Sequence, residues 1–177
     1  YPFIQSLSSV FCKEEEWGLL NRLDNVTTWL LYFAKSHEIR KHYKALQKEW
    51  KVYKYYLVEI YWDIRYRIKK YGKIIDFPIS HHKFCPEKMI VIDYQIKKSK
   101  ADWKPHFVQT EIIETQRNEN KGTTILLVRI KKGIRHQIRS HFSAIGYPIV
   151  WDKCYGKKKD PMIWNLQLFS VWLEVTS

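Results

Sequence analysis

Apolar positions after Ser36 follow the period of a helix. Four of them recur at spacings of four, three and four residues: Ile39, Tyr43, Leu46 and Trp50. This spacing puts them on one face of an α-helix. Ser36 is a suitable N-cap because its side-chain oxygen can accept a hydrogen bond from the first turn. The pattern predicts a helix that begins after Ser36 and packs through this face.

Five segments are rich in β-branched and aromatic residues and predict strands. The first spans residues 52–62, and three others begin at Lys88 ("KMIVIDY"), His106 ("HFVQTEIIE") and Thr123 ("TTILLVRI"). The fifth lies near the end of the chain, where alternate positions are apolar: Phe169, Val171, Leu173 and Val175. The polar segments "QIKKSKADWKPH" and "TQRNENKG" are predicted to be connections.

A second helix is predicted in "GIRHQIRSHFSAIGYP", residues 133–148. Its apolar positions are Ile134, Ile138, Phe142 and Ile145, and Gly146 with Pro148 favours an end to the helix. In such a helix Arg135 lies in the first turn and shares a face with Arg139, where like charges repel. Either this is a solvated basic face, or both arginines point at anions, one of which could be a carboxylate.

The order of these elements predicts the fold class. Strands, a helix, further strands, a helix and a final strand are typical of an α+β domain with a largely antiparallel sheet and flanking helices. At 177 residues the chain is long enough for one substantial core and short for two. We expect a single domain over residues 1–177.

The charge of the chain points to a polyanionic partner. Lysine and arginine number 31 against 18 acidic residues, which gives a net charge of +13. Nucleic acid and an anionic membrane surface both fit this charge. The longest apolar run, residues 29–34, is too short to span a bilayer.

Cysteine and histidine usage favours a reducing compartment without a metal site. Cys12, Cys85 and Cys154 are odd in number and far apart, which argues against a disulfide framework. His81 and His82 precede Cys85, but no second ligand pair accompanies them. We therefore expect no bound metal and a cytoplasmic protein.

Two charged residues interrupt an apolar stretch near the start of the chain. In "GLLNRLDNVTTWLL", residues 18–31, Arg22 and Asp24 stand between two apolar runs. A buried, unpaired carboxylate costs several kcal/mol or becomes protonated. A solvated turn explains the pair equally well, because Asp and Asn favour turns.

Three motifs together resemble the RluA-type pseudouridine synthases. The family's "HRLDxxTSGLLLxAK" is similar to "NRLDNVTTWLLYFAK" at residues 21–35, and its "KxYxAxV" to "KYYLVEI" at residues 54–60. The family's "GRTHQIRxHLxxxGHPIxGDxxYG" is similar to "GIRHQIRSHFSAIGYPIVWDKCYG" at residues 133–156. The resemblance implies a pseudouridine synthase-like mixed sheet and an RNA isomerase, acting on ribosomal or transfer RNA without a cofactor.

The resemblance also implies roles for particular residues. Asp24 would be the catalytic aspartate, Arg139 its salt-bridge partner, and Tyr56 the ring that stacks on uracil. The chemistry would require the target base to leave its stack, since it cannot be reached inside one. Candidate RNA-binding residues are Arg22, Lys54, Arg135, His136 and Gln137. The resemblance implies a monomer that binds RNA.

Several positions depart from the family pattern and leave an alternative open. Trp29 and Trp151 stand where the family has glycine, and Ile134 stands where it has arginine. The family's upstream strand is not recognisable before Trp17, so we expect the chain to lack part of the family's N-terminal segment. The alternative is a catalytically weak or inactive RNA-binding relative. A basic peripheral membrane module is a third reading, favoured only by the charge.

Overall fold

The computed structural model describes residues 18–92, 101–102, 104–156 and 165–176. In these ranges the chain forms three helices: α1 (His37–Lys48), α2 (Arg65–Tyr71) and α3 (Gln137–Ala144). The strands are β1 (Thr28–Trp29), β2 (Val52–Tyr61), β3 (Ile74–Ile75), β4 (Ile79–His81), β5 (Met89–Val91), β6 (Thr110–Asn118), β7 (Thr123–Ile130) and β8 (Leu168–Val175).

Six of these strands form one sheet in the order β1-β8-β2-β7-β6-β3. The short β1 pairs in parallel with β8, and every other neighbouring pair is antiparallel. Strands β4 and β5 form a separate antiparallel ribbon. The predicted α+β fold with a largely antiparallel sheet is confirmed.

One face of the central strand β2 carries the core. Its alternate residues Val52, Lys54, Tyr56, Val58 and Ile60 are buried, as expected for a strand with one covered face. Helix α3 packs on this face through its apolar residues, and the linker before α2 contributes Ile64 to the same cluster. Strands β2 and β7 lie within one residue of where the sequence places them.

A bulge in β8 changes which of its residues face the core. Trp172 pairs with Tyr55, but the next core-facing pair is Ser170 with Tyr56, so Val171 is the extra residue. Because side chains alternate along a strand, one extra residue exchanges the two faces.

The predicted alternation of the last strand is therefore only half right. Leu173 and Val175 lie opposite core-facing residues of β2, as predicted. Before the bulge the order is reversed, and Leu168 and Ser170 are buried in place of Phe169. The prediction failed there because a sequence pattern with a single period cannot contain a bulge.

Helix α1 begins where predicted but packs through a narrower face. The hydroxyl of Ser36 accepts a hydrogen bond from the backbone N–H of Ile39, which confirms the N-cap. Tyr43 is buried, whereas Ile39 and Trp50 are each 51% exposed. Arg40 occupies the face in their place, so the predicted four-residue stripe is wrong at two positions.

Helix α3 begins later than predicted, at Gln137. His136, the residue before it, adopts a left-handed backbone with φ of 54°. Arg135 therefore lies in the preceding turn, and its expected helical spacing to Arg139 is wrong. The predicted connection "TQRNENKG" is also partly wrong, since residues 115–118 continue β6. Most of "QIKKSKADWKPH" lies outside the described residues.

Candidate active site

A cleft of about 880 Å³ lies where the start of β2 meets the turn before α3. The loop that follows Gly18 forms one side, and residues 151–154 with Leu166 and Leu168 form another. All of the predicted site residues border this cleft: Arg22, Asp24, Lys54, Tyr56, Arg135, His136, Gln137 and Arg139. Residues far apart in the chain therefore meet in one place, as the resemblance requires.

The loop that carries Asp24 is anchored at both ends. The buried side chain of Asn21 donates to the carbonyl of Leu30 at 3.3 Å and accepts from the backbone N–H of Tyr32 at 2.8 Å. The loop turns where the N–H of Thr27 donates to the carbonyl of Asp24 at 2.9 Å. Asn21 was not predicted as a site residue, although it stands in the quoted motif directly before Arg22.

Arg139 joins two carboxylates at the base of the cleft. Its Nε and Nη2 each lie 2.8 Å from an oxygen of Asp152 in a bidentate pair, and its Nη1 lies 3.4 Å from Oδ2 of Asp24. The predicted contact between Asp24 and Arg139 is confirmed. Asp152 makes two contacts, both shorter than the one to Asp24, so it is the principal partner of the guanidinium.

Asp152 is satisfied by several donors besides arginine. The backbone N–H groups of Cys154 and Tyr155 donate to its Oδ1 at 2.9 and 3.1 Å, and its side chain is fully buried. Burial by itself lowers the pKa of Arg139, but the hydrogen bonds and charge of Asp152, with those of Asp24, outweigh it and raise that pKa. The sequence contained a signal for Asp152, because the third motif includes an aspartate at this position.

His136 lies on the other side of Asp24. Its Nε2 is 3.7 Å from Oδ2 of Asp24, and its Nδ1 is 2.9 Å from the hydroxyl of Tyr155. That hydroxyl in turn accepts a hydrogen bond from the backbone N–H of Met89 at 2.7 Å. Burial lowers the pKa of His136, and the charge of Asp24 opposes this effect. The imidazole is thus held in place between the carboxylate and a phenol that the sequence did not identify.

Tyr56 and Lys54 project from β2 into the cleft. Tyr56 is 7% exposed, and burial together with the nearby charge of Asp24 raises its pKa, so its phenol remains neutral. Lys54 is 9% exposed, and burial lowers its pKa. Within the described part of the chain, no carboxylate lies within 4 Å of its ammonium group.

The other predicted RNA-binding residues differ in exposure. Arg22 is exposed at the edge of the cleft. Arg135 is also exposed, but its guanidinium donates to the carbonyls of Pro86 and Glu87 at 3.0 and 3.2 Å. It therefore does not point at a protein carboxylate there, and of the two arginines only Arg139 does.

The side chain of Gln137 is buried. It is 2% exposed, and its amide nitrogen donates to the carbonyl of Gln109 at 2.9 Å. Its amide oxygen accepts from the backbone N–H of Ile134 at 3.2 Å. Both ends of its amide thus hold the turn before α3, and its contact with RNA stays a prediction.

The two tryptophans that replace family glycines occupy different backbone conformations. Trp29 lies in β1 opposite Ser170, so its backbone is extended and does not require glycine. Trp151 has φ of 59°, in the left-handed region that favours glycine. The backbone next to Asp152 is therefore strained by this substitution.

Neither a metal-binding cluster nor a membrane-spanning helix occurs among the residues that the structure describes. No group of three His, Cys, Asp or Glu side chains there could hold a metal ion. No helix in those ranges has the length and apolarity needed to cross a membrane.

Comparisons with known proteins agree with the motifs. A family model described as RNA pseudouridylate synthase matches residues 8–144. An uncharacterized RNA pseudouridine synthase of Aquifex aeolicus is 31% identical over 155 residues, covering 88% of this chain and 44% of that protein. Ribosomal large subunit pseudouridine synthase D of Pseudomonas aeruginosa is 32% identical over 139 residues, covering 78% and 38%. The chain thus spans less than half the length of these two relatives.

A solved structure supports the same fold. Human RNA Pseudouridylate Synthase Domain Containing 1 superposes with a TM-score of 0.73 at 21% identity, covering 89% of this chain and 63% of the human one. The family match extends over most of the chain, including the Asp24 loop, β2 and all of α3. The chain therefore belongs to the RluA type of the RNA pseudouridylate synthase family.

Proposed function

We propose that this chain isomerises uridine to pseudouridine in structured RNA, ribosomal or transfer, with Asp24 as the catalytic carboxylate. The observation that carries the proposal is the placement of Asp24 in the cleft beside Arg139, while Asp152 already balances most of the arginine's charge. Arg139 thus orients Asp24, although its main partner is Asp152. A half-buried carboxylate of this kind is available to a substrate.

The reaction needs no cofactor. The bond between N1 of uracil and C1′ of the ribose breaks, the base turns, and C5 bonds to C1′. The hydrogen at C5 leaves and N1 gains one, so the product is an isomer. Asp24 could attack the base, attack the sugar or remove a sugar proton, and all three need its carboxylate at the nucleoside.

The walls of the cleft fit a base that has left its stack. The ring of Tyr56 lies on the strand side, and Ile138 and Leu23 belong to the apolar cluster packed against it. Base–aromatic stacking and backbone contacts repay the cost of extracting the nucleotide. Arg22, exposed at the rim, is positioned to contact the phosphate or the vacated place in the RNA.

A basic surface on α2 supports binding of the RNA backbone. Residues 65–73 contain five cations and no acid, and Arg65 is paired with Asp63 at 2.6 Å. Lys70 lies 5.0 Å from the ring centroid of Tyr71, which is 64% exposed. Exposed cations beside an exposed ring suit a nucleic acid.

We place the activity in the cytoplasm, where the free thiols of Cys85 and Cys154 would stay reduced.

The test is direct conversion of RNA. Unmodified ribosomal and transfer RNAs carrying tritium at C5 of uridine are incubated with the chain, tritium release is counted, and pseudouridines are mapped chemically. Release with mapped product is expected for the wild type and none for Asp24→Asn, whose RNA affinity should stay within about threefold. RNA binding without release by either protein would support the inactive relative, which the strained backbone at Trp151 favours.

A further inference from the structure

Lys54 presents a buried charge that the fold itself does not use. Its backbone pairs with Ile130 on β7 and Leu173 on β8, both apolar. Its Nζ lies 3.5 Å from the point where a Cβ on Gly133 would stand. The ammonium has neither a hydrogen bond nor an ion pair to any residue that the structure describes.

An unpaired buried ammonium is costly to fold, since burial disfavours the charged form. A methionine of similar length would fill the same space without that cost. Lys54 borders the cleft, so the ligand that satisfies it is expected to be the one that enters there. Buried polar groups without a protein partner are characteristic of sites where chemistry takes place.

The position of Lys54 relative to Tyr56 defines what the ammonium can reach. The two residues are two apart on the same face of β2, which separates their Cα atoms by about 7 Å. If Tyr56 stacks on the uracil, the ammonium lies toward the edge of that base. The edge of uracil carries the carbonyl oxygens O2 and O4, which accept hydrogen bonds.

The charges at the base of the cleft show why such a donor is needed. Asp24 and Asp152 together carry two negative charges against one positive charge on Arg139. When the bond between N1 and C1′ breaks, its electron pair goes to the base and is delocalised over N1, O2 and O4. On each route open to Asp24 its own negative charge has gone by then, so Arg139 and Asp152 remain as a neutral pair. That pair offers no net positive charge to the anionic base, and Lys54 supplies it.

We propose that Lys54 is a catalytic residue whose ammonium donates a hydrogen bond to a carbonyl oxygen of the target uracil and stabilises the negative charge on the detached base. This rests on the proposed function. Lys54 keeps its proton throughout. The charge on the base is consumed when C5 bonds to C1′, after which the C5 proton leaves and N1 is protonated. The contribution is electrostatic stabilisation by a preorganised donor.

The experiment compares Lys54→Met with a variant of an exposed lysine on α1, outside the cleft, Lys41→Met, which removes the same charge. On uridine-containing RNA we expect Lys54→Met to lower kcat about 100-fold or more, in the range seen when one donor to a developing anion is removed. RNA affinity should stay within about threefold, Lys54→Arg should recover part of the rate, and Lys41→Met should retain the wild-type kcat. The melting temperature of Lys54→Met should rise, because a buried unpaired charge is gone.

A change of leaving group separates this role from a structural one. Fluorine at C5 makes the departing base a weaker base, so it needs less stabilisation. With 5-fluorouridine at the target position, the rate defect of Lys54→Met in breaking the bond to the sugar should shrink at least tenfold. Single-turnover digests analysed by mass spectrometry measure this rate.

Three outcomes overturn the inference. They are a wild-type kcat for Lys54→Met, a defect of equal size on both substrates, and a loss confined to RNA affinity. Each of these leaves the proposed function standing, because the wild type remains active. A wild type that converts no RNA overturns the proposed function and the inference together.

Discussion

The two carboxylates that share Arg139 should respond differently to the same substitution. Asp152→Asn and Asp24→Asn each remove one negative charge and keep the size of the side chain. Asp152 is fully buried and holds the guanidinium through two contacts of 2.8 Å. Asp24 is 19% exposed and makes one contact of 3.4 Å. We expect the first substitution to act on stability and the second on turnover.

The contacts allow the size of this difference to be estimated. Removing one partner of a buried ion pair costs about 3–5 kcal/mol, because the other charge is left uncompensated. A domain of this size loses about 2–4 °C of melting temperature per kcal/mol, so Asp152→Asn should lower Tm by roughly 6–20 °C. Asp24→Asn leaves Arg139 paired with Asp152, so the lost contact should be worth at most about 1 kcal/mol.

Thermal unfolding followed by circular dichroism measures both effects, with a urea titration as a check on two-state behaviour. The double variant Asp152→Asn with Arg139→Met removes both members of the pair and should regain part of the lost stability, since no buried charge is stranded. Equal losses of Tm for Asp24→Asn and Asp152→Asn would refute the reasoning. So would an unchanged Tm for Asp152→Asn.

Three further predictions follow from other parts of the fold. Burial lowers the pKa of His141 to about 4 from an unfolded value near 6.5. The contribution of His141 to stability should therefore be complete above pH 6.5, and the free energy of unfolding should fall by about 3 kcal/mol as the pH decreases to 4. Urea titrations should show a smaller fall in the free energy of unfolding for His141→Gln than for the wild type. Trp151→Gly should be more stable than Trp151→Ala by about 1 kcal/mol, because both lose the ring but only glycine relieves the left-handed backbone; equal stability would exclude strain at this position. Lys70→Gln should reduce the slope of log RNA affinity against log salt concentration by about one unit in a filter-binding series, whereas Lys41→Gln on α1 should leave the slope unchanged. Identical slopes for the two variants would show that α2 is not part of the RNA-binding surface.

The strands that the sequence predicted best are those whose pattern has a single cause. Strand β7 coincides with "TTILLVRI", and β2 lies within one residue of its predicted end, because both segments are rich in β-branched and aromatic residues. The last strand was half right, since the bulge at Val171 depends on its pairing with β2. The sequence of one strand does not show the register in which a neighbouring strand will pair with it.

The motifs predicted which residues form the candidate site, but not the hydrogen bonds and ion pairs among them. Asp24 and Arg139 were expected to meet and do, but the dominant role of Asp152 depends on how the turn after α3 folds back. Gln137 was predicted to contact RNA, and its motif gave no sign that its side chain is buried. Its burial follows from the late start of α3, which a left-handed residue sets.

The pair of Arg139 and Asp152 has a consequence for the proposed reaction. Two of the three routes open to Asp24 turn its carboxylate into an ester, and the third protonates it, so its negative charge disappears for part of each cycle. If Asp24 were the sole counter-ion of Arg139, the buried guanidinium would then carry an uncompensated positive charge. Because Asp152 remains in place, the pair is neutral at that moment, and Asp24 can lose and regain its charge without the protein reorganising around it.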